Sequence, residues 1–175
     1  MPVVSARGTS ATQNVAGWFS PLSSIYDAGI DTWVYGTGTS LDTGRYIEIA
    51  GHNFIASLGV GAIIADITIS ARAYTVNYSR WKGWNAQFFV GGVAAGPVVY
   101  QDMGTSPTIM TYSMTGVTAD DLIDPDMVLR MEPVRNFGAS TADFYIDYAD
   151  VIVTYTPGVP PIGLGDGLWG AIPIL

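Results

Sequence analysis

Catalysis needs positioned acids, bases, nucleophiles or metal ligands, and this chain of 175 residues holds few of them. It has one histidine, His52, and no cysteine. A histidine-rich metal centre is thereby excluded, as are a thiol nucleophile, a thiolate zinc site and a disulfide framework. A Ser–His–Asp arrangement would have to use His52, yet no G-x-S-x-G turn is present. His52 stands in Gly51-His52-Asn53, directly after a strand-like run. It reads as a structural or turn residue.

The carboxylates are the second source of chemistry. Asp27 and Asp31 stand in YDAGIDTW, and Asp120, Asp121, Asp124 and Asp126 crowd into TADDLIDPD. Calcium takes oxygen ligands from such loops, which makes Asp27, Asp31, Asp124 and Asp126 candidate calcium ligands, although no EF-hand pattern accompanies them. The plainer reading is that these are turn and capping aspartates, whose short side chains bond nearby backbone. Beyond calcium no cofactor is expected. A third candidate is Arg80-Trp81-Lys82-Gly83-Trp84-Asn85. Exposed Trp81 and Trp84 would stack on sugar rings or anchor a protein interface. The competing reading packs them over a sheet edge and a turn.

The elements that must position these residues are strands. Asp outnumbers Glu thirteen to two, a skew that suits loop-rich β structure rather than helices. From Ala62 to Tyr78, Ile63, Ala65, Ile67, Ile69, Ala71 and Ala73 share one parity, with Asp66, Thr68, Ser70 and Arg72 on the other. Period 2 predicts a strand with one dry face, and so long a run predicts a bulge within it. Shorter runs at Tyr46–Ala50, Thr108–Met114 and Asp126–Glu132 alternate likewise, and Ala86–Val90 reads as a strand-like run apolar on both faces. In FYIDYADVIVTY the apolar parity moves from Phe144, Ile146 and Tyr148 to Val151, Val153 and Tyr155, which predicts a bulge near Ala149–Asp150. TADDLI reads as a capped helical turn opened by Thr118 and stopped by Pro125. The fold class expected is all-β: a two-sheet antiparallel β-sandwich, jelly-roll-like, over 25–156. Residues 1–24 are expected to form an N-terminal arm and 157–175 an apolar Pro/Gly-rich C-terminal arm.

Composition speaks to partners. Charged residues make up 13% and hydrophobic residues 49% of the chain, about half the usual charged share. Such a surface is best covered by other subunits, since obligate interfaces resemble a core cut in half. A homo-oligomer or larger assembly is expected, with Leu168, Trp169, Ile172, Ile174 and Leu175 of the apolar tail joining Trp81 and Trp84 as interface candidates. Net charge −8 without a basic cluster argues against nucleic-acid partners. Met1 to Thr12 lacks the pattern of a secretory signal, and the longest apolar run, Phe54 to Ala65, is too short for a bilayer. No membrane insertion is expected.

Three segments carry a family likeness. IYDAGIDTWVY, then TGRYIEIAGHNF with GAIIADITISARA, then DFYIDYADVIVTYTP together resemble a jelly-roll β-sandwich domain of tailed-bacteriophage structural proteins. The resemblance spans about three quarters of the chain and carries no catalytic signature. It implies a non-enzymatic virion subunit, of minor tail, tail-associated or head decoration type, that works through contacts with other virion proteins. Such domains also resemble carbohydrate-binding modules, so binding of host-surface glycans is the alternative. Fold alone does not choose between them.

Overall fold

A computed structural model describes residues 1–15, 19–25, 33–38, 44–59, 61–77, 81–136 and 142–158. The strands are β1 (Val3–Arg7), β2 (Ser10–Gln13), β3 (Phe19–Ser20), β4 (Val34–Gly38), β5 (Ile47–Ala50), β6 (Ile63–Thr75), β7 (Trp81–Val90), β8 (Val93–Asp102), β9 (Thr108–Met114), β10 (Met127–Arg135) and β11 (Ala142–Thr156). Two short helices, α1 (Ile55–Leu58) and α2 (Ala119–Ile123), and a 3-10 turn at Leu22–Ile25 join them.

The strands form two antiparallel sheets packed as a sandwich. One has the order β3-β4-β11-β6-β9, with β1 also pairing β11; the other runs β2-β5-β10-β7-β8. From β4 to β11 the chain crosses between sheets at nearly every connection, the habit of a jelly roll. Inward side chains follow the expected alternation. Ile67, Ile69, Ala71 and Ala73 of β6, Met110, Tyr112 and Met114 of β9, Met127, Leu129 and Met131 of β10, and Ile47 and Ile49 of β5 are all buried. Thr118 caps α2 as its sequence predicts: its Oγ1 accepts from the Asp121 N–H at 3.2 Å, and the Asp121 carboxylate accepts from the Thr118 N–H at 2.8 Å.

Three departures from the sequence reading have physical causes. First, residues 1–24 are not a free arm, because β1 zips onto β11 (Val3↔Thr154 to Arg7↔Asp150) and β2 onto β5. Gly8 lets the chain change sheets here; a Cβ at that position would lie 2.3 Å from the Ile49 side chain. Second, the bulge expected in the long strand falls at Ala65, which β11 skips as Thr154 faces Asp66 and Tyr155 faces Ile64. That slip turns Ile63 outward to 69% exposure, although it shares its parity with the buried isoleucines. Third, the bulge in β11 falls at Asp147, two residues before the expected place: Ile146 faces Ala73 and Tyr148 faces Arg72. Tyr148 therefore points outward instead of into the core. Of the two arms, the C-terminal one is described only to Gly158, whose N–H bonds the Leu58 carbonyl at 3.0 Å. Among the described residues no helix is long and apolar enough to cross a membrane.

Candidate functional site

The reading of Trp81 and Trp84 as exposed interface or sugar-stacking candidates is corrected by their placement, which fits the competing reading of packed rings: both are 0% exposed. On a regular strand residues three apart point to opposite faces. Lys82 is an extra residue in β7, since Arg135 faces Trp81 while Val134 faces Gly83, and this bulge sends both indoles inward. There they close on Phe144, with ring centroids at 4.5 Å for Trp81 and 5.5 Å for Trp84, and Phe19 joins at 5.7 Å. These tryptophans are core, and neither is available to a sugar or a partner.

The exposed aromatic surface lies on the outer face of the other sheet. Tyr35 of β4 faces Tyr145 of β11, which faces Tyr74 of β6. Direct cross-strand neighbours sit about 5 Å apart, and the three rings form a row across three strands. Tyr74 and Tyr145 stack with centroids 4.5 Å apart and planes 7° apart, and Tyr35 follows at 6.2 Å. Trp33, just ahead of β4, stands perpendicular to both inner tyrosines, 4.9 Å from Tyr74 and 6.4 Å from Tyr145. Tyr35 is 47% exposed, and the other three are half-buried.

Beneath Trp33 the Asp147 bulge supplies an anchor. The Asp147 carboxylate, 2% exposed, accepts from Arg72 Nη1 at 3.0 Å, and the Arg72 guanidinium lies 5.0 Å from the Trp33 ring centre. Farther along β11, Arg7 grips Asp150 through two bonds, Nε at 2.6 Å and Nη2 at 2.9 Å, while lying 4.7 Å over the Tyr148 ring. The bond to Asp150 raises the Arg7 guanidinium above its ordinary value. Arg72 and Arg7 are thus each neutralised by a carboxylate of β11, Asp147 and Asp150 respectively. Burial, then the charge of Asp143, raises the Tyr145 hydroxyl above its ordinary value and keeps it a neutral donor. The Thr37 hydroxyl donates to the Asp143 carboxylate beside it.

The opposite outer face is built differently. Arg130 is clamped between the Tyr46 and Phe89 rings, at 3.8 and 3.7 Å from their centres, and bonds Glu48 at 2.7 Å. The guanidinium occupies the aromatic faces that a ligand would use.

No family model matches the chain, and no curated protein matches it. Among solved structures it is similar to a family two carbohydrate esterase from Cellvibrio japonicus, at 10% identity and TM-score 0.38 over 92% of this chain and 36% of that one. The chain spans about a third of that esterase. It is also similar to a protein described as "CBM4 structure and function" (11% identity, TM-score 0.42, covering 87% and 94% of the two chains). The N-terminal cellulose-binding domain of Cellulomonas fimi β-1,4-glucanase C gives 10% identity and TM-score 0.43, covering 90% and 89%. These are likenesses of sandwich architecture and carry nothing about what this chain binds.

The remaining sequence candidates fall out as follows. Asp124 and Asp126 serve a turn after α2, where Asp124 Oδ1 accepts from the Asp126 N–H at 2.8 Å. Among the described residues no three His, Asp or Glu side chains gather as metal ligands. Asp27 and Asp31, and the tail residues Leu168, Trp169, Ile172, Ile174 and Leu175, lie outside the described residues. His52 is buried, 4% exposed, beside Phe54. The aromatic row escaped sequence reasoning, although a signal for it exists: Tyr74 and Tyr145 each occupy the polar parity of an otherwise alternating strand.

Proposed function

We propose that this chain is a non-enzymatic glycan-binding module whose contact surface is the Tyr35–Tyr145–Tyr74 row with Trp33, carried on a tailed-phage particle that meets host-surface saccharides. The observation that carries the reading is the row itself: four aromatic side chains gathered on a solvent-facing sheet, with tyrosine hydroxyls among them. Aromatic rings with a polar tip suit a ligand that has an apolar face and hydroxyl edges, as a pyranose does. Because Arg7 and Arg72 are held by Asp150 and Asp147, and the chain carries −8 overall, a neutral saccharide fits better than an acidic one. The virion setting rests on the sequence resemblance.

A glycan array probed with the whole chain tests this, followed by titration of any hit against Tyr35→Ala. Tyr35 is largely exposed, so its removal should spare the fold while weakening binding about tenfold or more, as for an interface hot spot. A flat array, or full affinity in Tyr35→Ala, would overturn the assignment.

A purely structural virion role is the second reading. Exposed Ile63, Val93, Val98 and Ile109 favour it, since a chain with 13% charged residues leaves such side chains little polar cover. Size-exclusion with light scattering decides: a stable monomer at micromolar concentration would count against obligate assembly.

A further inference from the structure

β9 closes one side of its sheet. It pairs with β6 from Ile67↔Met114 to Ala73↔Thr108 without a register shift, and among the described residues no strand pairs with its other flank. On such an edge alternate backbone N–H and C=O groups point away from the sheet, open to another strand. Soluble proteins guard these edges with charge, proline, bulges or shortness. The other edges here carry such devices. β8 holds Pro97, which has no N–H, and Gly96 at φ 83°, beside a break in its register with β7. β2 has four residues and β3 two, and the five of β1 end in the charged Arg7.

β9 has none of them. Its sequence, TIMTYSM, contains no charge and no proline. Met110, Tyr112 and Met114 point into the core, whereas Thr108, Ile109, Thr111 and Ser113 are exposed, Ile109 to 61%. On the outer face Ile109, Thr111 and Ser113 stand beside Arg72, Ser70 and Thr68 of β6, and Arg72 is held by Asp147.

We infer that β9 is a dimerisation edge: two copies of this chain pair β9 with β9 antiparallel, about a two-fold axis at Thr111, and join their sheets into one. An open edge selects an extended strand through backbone hydrogen bonds. A second β9 supplies that strand and leaves neither copy's β9 open, because a two-fold contact uses the same patch on both subunits. Charge points the same way. Chains of net charge −8 repel one another, so copies must meet where neither is ionised. Symmetry then fixes the register: Thr111 faces its own copy, Ile109 faces Ser113, and Met110 faces Tyr112. Facing threonines and methionine against an aromatic ring are both favourable pairs. The axis runs normal to the sheet, so both aromatic rows share one outer face and a multivalent glycan would engage the two together. That consequence alone rests on the glycan reading.

Light scattering on the size-fractionated full chain should show a dimer at micromolar concentration. In Thr111→Lys two ammonium groups meet at the axis, and like charges directly opposed are unfavourable, so the dissociation constant should rise about tenfold or more. Mixing Thr111→Lys with Thr111→Asp chains should restore the dimer. The chain has no cysteine of its own, so mild oxidation reads the register. Facing Cα atoms about 4.5–5.5 Å apart suit a disulfide. Thr111→Cys should therefore cross-link to itself, whereas Ile109→Cys and Ser113→Cys should cross-link only when mixed. A monomer at high micromolar concentration would overturn the inference. So would cross-linking without regard to this register. An oligomer that Thr111→Lys leaves intact would overturn it too, while the assembly reading would stand. Should Thr111→Lys fail to fold, the cysteine variants decide alone. A monovalent saccharide titrated against Tyr35→Ala reads one row at a time, so the glycan reading and this one fail separately.

Discussion

Acidifying a solution of this protein from about pH 7 to about pH 4.5 should cost about 2 kcal/mol of stability through His52 alone. In the unfolded chain His52 titrates at its ordinary 6.5, and in the folded chain near 4. Between those values the unfolded state binds a proton that the folded state refuses. The unfolded state thus holds more protons, and stability rises with pH across this window. The stabilisation is complete above 6.5, declines as the pH falls toward 4, and is exhausted below. Burial is the chief cause; Asp150 opposes it, and Arg7 occupies that carboxylate. Over the whole window the shift amounts to about 3 kcal/mol at about 1.4 kcal/mol per unit. About 2 of that falls inside the interval named. Thermal unfolding reads it directly: for a chain of this size the midpoint should drop by roughly 4–8 °C. Other carboxylates titrate in the same range, so the measurement is a difference. His52→Phe should lose that part of the pH dependence and match or exceed the parent at low pH, because two orphaned nitrogens leave the core. Equal pH slopes in parent and variant would refute the reasoning.

Trp84→Ala should destabilise by about 3–5 kcal/mol, the cost of a large cavity in a packed aromatic core, seen as a lower urea midpoint, whereas an exposed ligand-stacking tryptophan would leave the midpoint unmoved. Arg72→Ala strands the buried Asp147 carboxylate and should cost about 3 kcal/mol; adding Asp147→Asn should restore part of it, and a double-mutant cycle measures the coupling. Thr118→Ala removes the α2 cap and should cost about 1 kcal/mol in chemical denaturation.

How far the sequence reaches depends on how strongly each strand alternates. β5, β9, β10 and most of β6 have one dry and one wet face, so period 2 marks both their existence and their inward residues. β8 escaped because it lies at a sheet edge and its burial runs in pairs without alternation. β1 and β2 are short and half-exposed, and their partners lie far away in sequence, so nothing local announces them. Bulges set the other limit. A parity change in β11 was legible, yet its place was not, because Tyr148 is apolar enough to pass for core while it actually stacks under Arg7. The bulge at Lys82 left no sequence mark, and so the sequence offered both exposed and packed readings of Trp81 and Trp84 without placing the two rings on one inward face. The aromatic row depends on register between three strands drawn from positions 35, 74 and 145, a long-range property that spacing along one segment does not encode.

β11 is the strand against which β1, β4 and β6 all align, and it is synthesised after every one of them. Until residues 142–156 leave the ribosome, the first sheet has no centre, and the pairing of Val3 with Thr154 joins strands far apart in sequence. Closure at such sequence distance makes for slow folding. A nascent chain would meanwhile display its tryptophans and isoleucines to its neighbours, a state prone to aggregate. Production in cells should therefore depend on translation speed and on chaperone supply more steeply than the finished sandwich suggests.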